Sequence, residues 1–135
     1  NQNKTIELKK IEDSFASAAN YLKTIGWRKN QPCFFKIDLK ENIPKKYLNS
    51  SARNIKNKRQ VSFFKKYIKN FDKLKIQSKL NAAIIIPDKD IIPGAETLFP
   101  AYIVFENYEK ILNWNRSLRF ALAVCTLKES FKNEI

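Results

Sequence analysis

Between Pro100 and Val124 the sequence changes period, and that change constrains the fold more than any other feature. Tyr102, Ile103, Val104 and Phe105 are β-branched or aromatic and follow a proline, which reads as a strand with a boundary ahead of it. The chain is then expected to turn at Glu106-Asn107, to run a short helical piece over Tyr108–Leu112, and to enter a helix from Leu118 toward the C-terminus. Between the two helical pieces lies Asn113-Trp114-Asn115-Arg116-Ser117, a polar cluster around one large aromatic. A chain of this pattern must place a strand and two helices around one junction, and the junction is a natural binding edge.

The remaining elements follow from the same kind of reading. Phe15, Ala18, Ala19, Leu22 and Ile25 recur at helical spacing within 12–25, and Gly26 is placed to end that helix. Cys33 to Leu39 alternates as a strand, and Asn81 to Ile86 is a short apolar strand closed by Pro87. Val61, Phe64, Tyr67 and Ile68 fall on one helical face, and 88–99 reads as a loop. In the last helix, Leu118, Ala121, Leu122 and Cys125 make one apolar stripe, while Phe120, Val124, Leu127 and Phe131 make another. A helix apolar on most of its circumference is expected to be covered on both sides. The fold class is therefore α+β: an N-terminal helix, a small sheet of short strands with one or two short helices, and a C-terminal helix.

Charge is the second constraint. The 135 residues carry 26 Lys+Arg against 13 Asp+Glu, a net charge of +13. Residues 36–79 alone hold 14 Lys/Arg against Asp38, Glu41 and Asp72. Such a surface suits a polyanion, and a small basic nucleic-acid-binding module is one reading of it. The Lys-, Asn- and Ile-rich usage of AT-rich genomes produces the same balance with no partner at all. Phe63, Phe64 and Tyr67 sit at core spacing rather than as a stacking platform, which weighs against nucleic acid.

Several chemistries are excluded. With no histidine, a histidine-based triad is impossible. Cys33 and Cys125 have no metal-site spacing, and as small buried hydrophobes they need no bond, although a disulfide between them would suit an oxidising compartment. The carboxylates are scattered on charged stretches; Glu106 and Glu109 read as solvated charges near a turn rather than as an acid/base pair. No apolar run reaches the ~18 residues of a membrane span, and no signal peptide is visible.

Two stretches carry a family resemblance. Asn107-Tyr108, Ile111 and Trp114-Asn115-Arg116-Ser117, followed by Phe120 and Ala121-Leu122-Ala123-Val124, resemble the C-terminal signature of lytic murein transglycosylases of the membrane-bound type B group, glycoside hydrolase family 103. Ser17-Ala18-Ala19-Asn20-Tyr21-Leu22-Lys23, with Gly26-Trp27, resembles that family's Ala-Asn-Tyr helix. The resemblance spans essentially the whole chain but corresponds only to the C-terminal portion of a family member.

The resemblance implies a peptidoglycan lyase that cleaves the bond between N-acetylmuramic acid and N-acetylglucosamine to give 1,6-anhydro products. Its partners would be glycan strands and the catalytic lobe, and its place the periplasm or outer membrane of a Gram-negative bacterium. One glutamate performs the reaction, on a helix upstream of the Ala-Asn-Tyr helix, so no residue here is expected to be catalytic and the isolated chain is expected to be inactive. Tyr21, Trp114, Asn115, Ser117 and Phe120 match groove-wall positions, where sugars need aromatic faces beside hydrogen-bonding side chains. Ser117 equally suits a helix N-cap, and Tyr21 a core edge.

Family members also carry a calcium loop where this sequence has Asn1, Asn3, Thr5, Glu7 and Asp13. Alternate oxygen-bearing side chains are what calcium requires, so a degenerate calcium site is one reading and a polar segment capped by Asp13 the other. The domain organisation implied is a calcium-loop-like segment at 1–13, a core helix at 14–27, a small α+β domain at 28–106, and the signature with its C-terminal helix at 107–135.

Overall fold

The computed structural model describes residues 17, 20, 23–24, 26–89 and 97–130. The expected N-terminal helix is represented by Ser17, Asn20, Lys23 and Thr24, all helical. It ends at Gly26, whose φ of 97° lies in the left-handed region that a Cβ disfavours.

Five strands form one sheet: β1 (Phe34–Ile37), β2 (Leu48–Asn49), β3 (Arg59–Gln60), β4 (Asn81–Ile85) and β5 (Ala101–Val104). β5 lies between β1 and β4 and is antiparallel to both. The other side of β4 is shared: β2 pairs with it in parallel at Ile84 and Ile85, and β3 antiparallel at Asn81 and Ala82. After that N-terminal helix, the described residues form helices α1 (Val61–Phe64), α2 (Glu106–Trp114) and α3 (Leu118–Ser130), with 3₁₀ turns at Lys45–Tyr47, Lys65–Tyr67 and Phe71–Lys73.

The alternation of side chains along a strand sends successive residues to opposite faces, and here both faces are buried. Ile37, Ala82, Ile84, Ile86, Ala101 and Ile103 point to one side, where Val61, Phe64, Tyr47 and Ile68 cover them. Ala83, Ile85 and Val104 point to the other, against Ile55, Tyr108, Ile111, Leu112 and the buried stripe of α3. Double burial explains why β4 reads as a continuous apolar run rather than an alternating one. On the first face Tyr47, Phe63 and Phe64 meet with ring centroids 5.2–5.7 Å apart, the edge and tilted geometries that aromatic quadrupoles favour.

Three expectations change. No turn separates β5 from the following helix; only Phe105 intervenes, and α2 begins at Glu106 and runs unbroken through Trp114. The 61–68 helix is one α-turn finished by a tighter 3₁₀ turn, which still buries Val61, Phe64 and Ile68. The final helix buries Leu118, Ala121, Val124 and Cys125, a single stripe drawn from both of the expected ones, whereas Phe120, Leu122 and Leu127 are half-buried. Phe131 lies outside the described residues.

Cys33, just ahead of β1, is bonded to Cys125 in α3, with their Cα atoms 6.0 Å apart and 92 positions between them in sequence. The reading of both as unbonded hydrophobes is thereby corrected. The bond ties α3 to the first strand across the second face of the sheet.

Candidate functional site

Four of the five expected groove-wall residues lie where α2 gives way to α3. α2 carries Glu106 and Glu109 in its first turn, where their charge complements the helix dipole. It closes with the Asn115 N–H donating to the Ile111 carbonyl at 2.9 Å. The chain then bends through Arg116, and the Ser117 N–H donates to the Asn115 carbonyl at 2.8 Å. Ser117 Oγ accepts from the Phe120 N–H at 3.1 Å, the N-cap bond of α3. Its capping role is therefore real, and the hydroxyl proton remains able to donate elsewhere.

Two helices joined by so short a bend must pack closely, and Tyr108 fastens them. Its ring is fully buried and its hydroxyl donates to the Leu118 carbonyl at 2.9 Å. Burial pushes the phenol pKa well up, with the nearby Tyr102 adding to the shift, so the donor keeps its proton.

The consequence at the surface is a paired aromatic edge. Trp114, at the end of α2, meets Phe120, in the first turn of α3, with ring centroids 5.7 Å apart and planes at 69°. Trp114 is 37% exposed; Phe120 is half-buried and offers no hydroxyl. Asn115 and Arg116 stand exposed beside them, and Arg116 Nη1 donates to the Arg53 carbonyl at 3.4 Å. The structure thus brings Trp114, Asn115, Ser117 and Phe120 together. An aromatic face flanked by an amide and a hydroxyl is chemistry that can take a sugar ring.

Tyr21, the fifth expected wall residue, lies outside the described residues, as do the calcium candidates Asn1, Asn3, Thr5, Glu7 and Asp13. Among the described residues, no group of three or more Cys, Asp or Glu side chains gathers as metal ligands.

Glu106 and Glu109 are ion-paired, Glu106 while its side chain stays half exposed. Glu106 Oε1 lies 3.5 Å from Arg28 Nε and 3.8 Å from Lys110 Nζ, and Glu109 Oε2 lies 2.7 Å from Lys58 Nζ. Asp88 pairs with Arg119.

The charged stretch does not open into a stacking surface. Phe64 is buried and Phe63 and Tyr67 are half-buried, and cations already lie over the rings: Arg59 and Lys66 over Phe63, and Lys66 over Tyr67, at 4.9–5.2 Å.

Sequence reasoning missed the side chain that ties residues 28–31 to the start of α2. Asn107 is fully buried in the first turn of α2. Its Oδ1 accepts from the Arg28 N–H at 2.8 Å, and its Nδ2 donates to the carbonyls of Arg28 at 2.9 Å and Gln31 at 3.1 Å. The available signal was position: Asn107 shares the inward helical face with Tyr108, Ile111 and Leu112, where an amide must find buried partners.

Known proteins resemble this chain in sequence and fold. Residues 1–129 match the family profile described as a transglycosylase SLT domain. The crystal structure of SltB3 from Pseudomonas aeruginosa in complex with NAG-anhNAM-pentapeptide is similar, at 29% identity and a TM-score of 0.62 over 87% of this chain. The crystal structure of SltB3 from Pseudomonas aeruginosa in complex with NAG-NAM-pentapeptide is also similar, at 29% identity and a TM-score of 0.54, again over 87% of this chain. The chain spans 29% of the length of each of those two. A search of the curated proteins found no match.

Proposed function

Because the chain belongs to the transglycosylase SLT domain family, we propose that it forms the glycan-groove wall of a peptidoglycan lytic transglycosylase of the membrane-bound type B group, glycoside hydrolase family 103. The observation that carries this reading is the Trp114–Phe120 pair, presented at the α2–α3 bend with Asn115 and Ser117 beside it. In the reaction, a glutamic acid protonates the oxygen joining N-acetylmuramic acid to N-acetylglucosamine. It then recovers a proton from the muramic 6-hydroxyl as that oxygen closes on C1, giving the 1,6-anhydro product. The work of these residues is to bind and align: the indole against a flat sugar face, Asn115 and Ser117 on hydroxyls. A periplasmic or outer-membrane-associated location fits the Cys33–Cys125 bond, since disulfides persist in oxidising compartments.

The test is Trp114→Ala in this chain, titrated with NAG-NAM oligomers. Loss of one aromatic face is expected to weaken binding by about 0.5–1.5 kcal/mol, roughly 2- to 12-fold. The melting temperature should move by only a few degrees, because the indole is partly exposed. Unchanged glycan binding alongside a collapsed melting temperature would make Trp114 a packing residue and sink the assignment.

A second expectation concerns chemistry. Glu106, Glu109 and Asp88 are each held by a cation, and no residue matches the family's catalytic glutamate. Incubation of these 135 residues with murein sacculi is therefore expected to release no 1,6-anhydromuropeptides by mass spectrometry. Release that Glu106→Gln or Glu109→Gln abolishes would place the acid here.

A further inference from the structure

The stretch from Arg59 to Lys79 covers the first face of the sheet with α1, two 3₁₀ turns and the connection into β4. It carries seven Lys/Arg, all exposed, against Asp72 alone. The ion pairs among the described residues draw on other cations: Arg28, Lys58 and Lys110, held by carboxylates of α2, and Arg119, held by Asp88. Charge is therefore sorted by face, paired beside α2 and α3 and unmatched by carboxylates on the opposite side of the sheet. A lysine-rich composition raises the number of cations, but it does not empty one face of acids. We propose that this opposite layer docks the protein on an anionic lipid surface. The proposal does not rest on the glycan-groove reading.

The layer is firmly seated. Val61, Phe64 and Ile68 are buried against the sheet. The Val61 N–H donates to the Leu80 carbonyl at 2.9 Å and the Ser62 N–H to the Ser78 carbonyl at 3.0 Å, which ties the layer's two ends together. Its other border is fastened to the chain beyond β1: the Lys69 N–H donates to the Asp38 carbonyl at 2.7 Å and the Lys40 N–H to the Tyr67 carbonyl at 2.8 Å. Asp38 and Lys40 bring one charge of each sign to that border, so the excess of cations stands. Seven like charges on a fixed base repel one another, and a negative counter-surface relieves that repulsion.

The side chains between the cations identify the partner. Phe63, Tyr67, Phe71, Leu74 and Ile76 are half-buried in the same layer. Lys65 Nζ lies 5.5 Å from the centre of the Phe71 ring, and Lys66 Nζ 4.9 Å from that of Phe63 and 5.2 Å from that of Tyr67. Ammonium groups resting on aromatic rings suit a bilayer interface, where rings sit at headgroup depth and lysines meet lipid phosphates. Single-stranded nucleic acid needs open ring faces for its bases, and here cations occupy them. Six of the seven cations are Lys, a point charge suited to a spread of phosphates rather than to two-pronged recognition of one group. Docking through this layer puts the lipid on the side of the sheet away from α2 and α3, so the Trp114 edge stays open.

The experiment sediments the whole chain with two kinds of vesicle, phosphatidylcholine alone and phosphatidylcholine mixed with phosphatidylglycerol. Binding is expected on the anionic vesicles only, and to fall at least about 10-fold as salt is raised from about 0.1 M to about 0.5 M. Lys66→Gln with Lys69→Gln and Lys73→Gln should weaken it about 100-fold, at about 5-fold per lysine. Removing the same charge off the layer, by Lys23→Gln with Lys89→Gln and Lys128→Gln, should weaken it less than about 5-fold, because those positions are screened from the lipid. Lys66→Arg with Lys69→Arg and Lys73→Arg keeps the charge and should bind like wild type. Equal weakening by the two glutamine variants overturns the proposal, since net charge alone would then act. Loss of binding in the arginine variant, or equal binding to both kinds of vesicle, overturns it as well. A single-stranded oligonucleotide that binds tighter than the anionic vesicles, and is lost in the layer's glutamine variant, would assign the face to nucleic acid and overturn it too.

Discussion

Breaking the Cys33–Cys125 bond should destabilise the fold by about 2–5 kcal/mol, the usual cost for a native disulfide in a small secreted domain. The bond joins residues 92 positions apart, close to the full span of the sheet and both helices of the signature. In the chain-entropy picture a loop of that length confines the unfolded ensemble by about 4–5 kcal/mol at 25 °C. The expected result for Cys33→Ala/Cys125→Ala is a melting temperature lower by roughly 10–20 °C, at about 4 °C per kcal/mol for a chain of this size. Reducing agent should produce the same shift in wild type and none in the variant. A variant melting within about 2 °C of wild type would show that the second apolar layer alone holds α3 in place.

Asn107→Ala should cost about 2–4 kcal/mol, although it removes only a carboxamide. The truncation leaves the Arg28 N–H and the carbonyls of Arg28 and Gln31 without the partner that satisfies them. Three hydrogen bonds are lost and a cavity is left where the buried carboxamide sat, which is why the effect exceeds the loss of a few side-chain atoms. Hydrogen exchange distinguishes this cause from general loosening. The Arg28 amide should lose its protection in the variant under conditions where the amides of β4 keep theirs. Loss at both positions together would mean that Asn107 supports the whole domain rather than the attachment of residues 28–31.

The elements that could be read from sequence are those whose environment is uniform along the chain. β4 was visible because Ala82 to Ile86 is buried on both faces, and α3 because its apolar residues recur at helical spacing. β2 and β3 were invisible for the opposite reason: two residues each, Arg59 and Gln60 exposed, they are strands only because β4 lies beside them. The turn expected at Glu106-Asn107 failed because Asn usually signals a turn, whereas this one is itself buried and bonds to carbonyls 76 and 79 positions away. The disulfide is a relation across an even longer separation, with no local pattern to announce it. In the site, Trp114 and Phe120 were legible as types and positions, but their pairing depends on how tightly α2 folds back into α3, which Tyr108 decides from inside.

That fastening has a consequence for the proposed glycan wall. Trp114, Asn115, Ser117 and Phe120 inherit their placement from bonds within the fold itself: Asn115 N–H to Ile111, Phe120 N–H to Ser117, and Tyr108 to Leu118. A binder of this kind is a mould rather than a hand. Little chain freedom is surrendered on association, so affinity is gained by avoiding an ordering cost rather than by adding contacts. The same rigidity sets a limit under that proposal: a strand whose rings are spaced or tilted differently would find no accommodating movement, and selectivity for one polymer shape would come from the folding of the core beneath it.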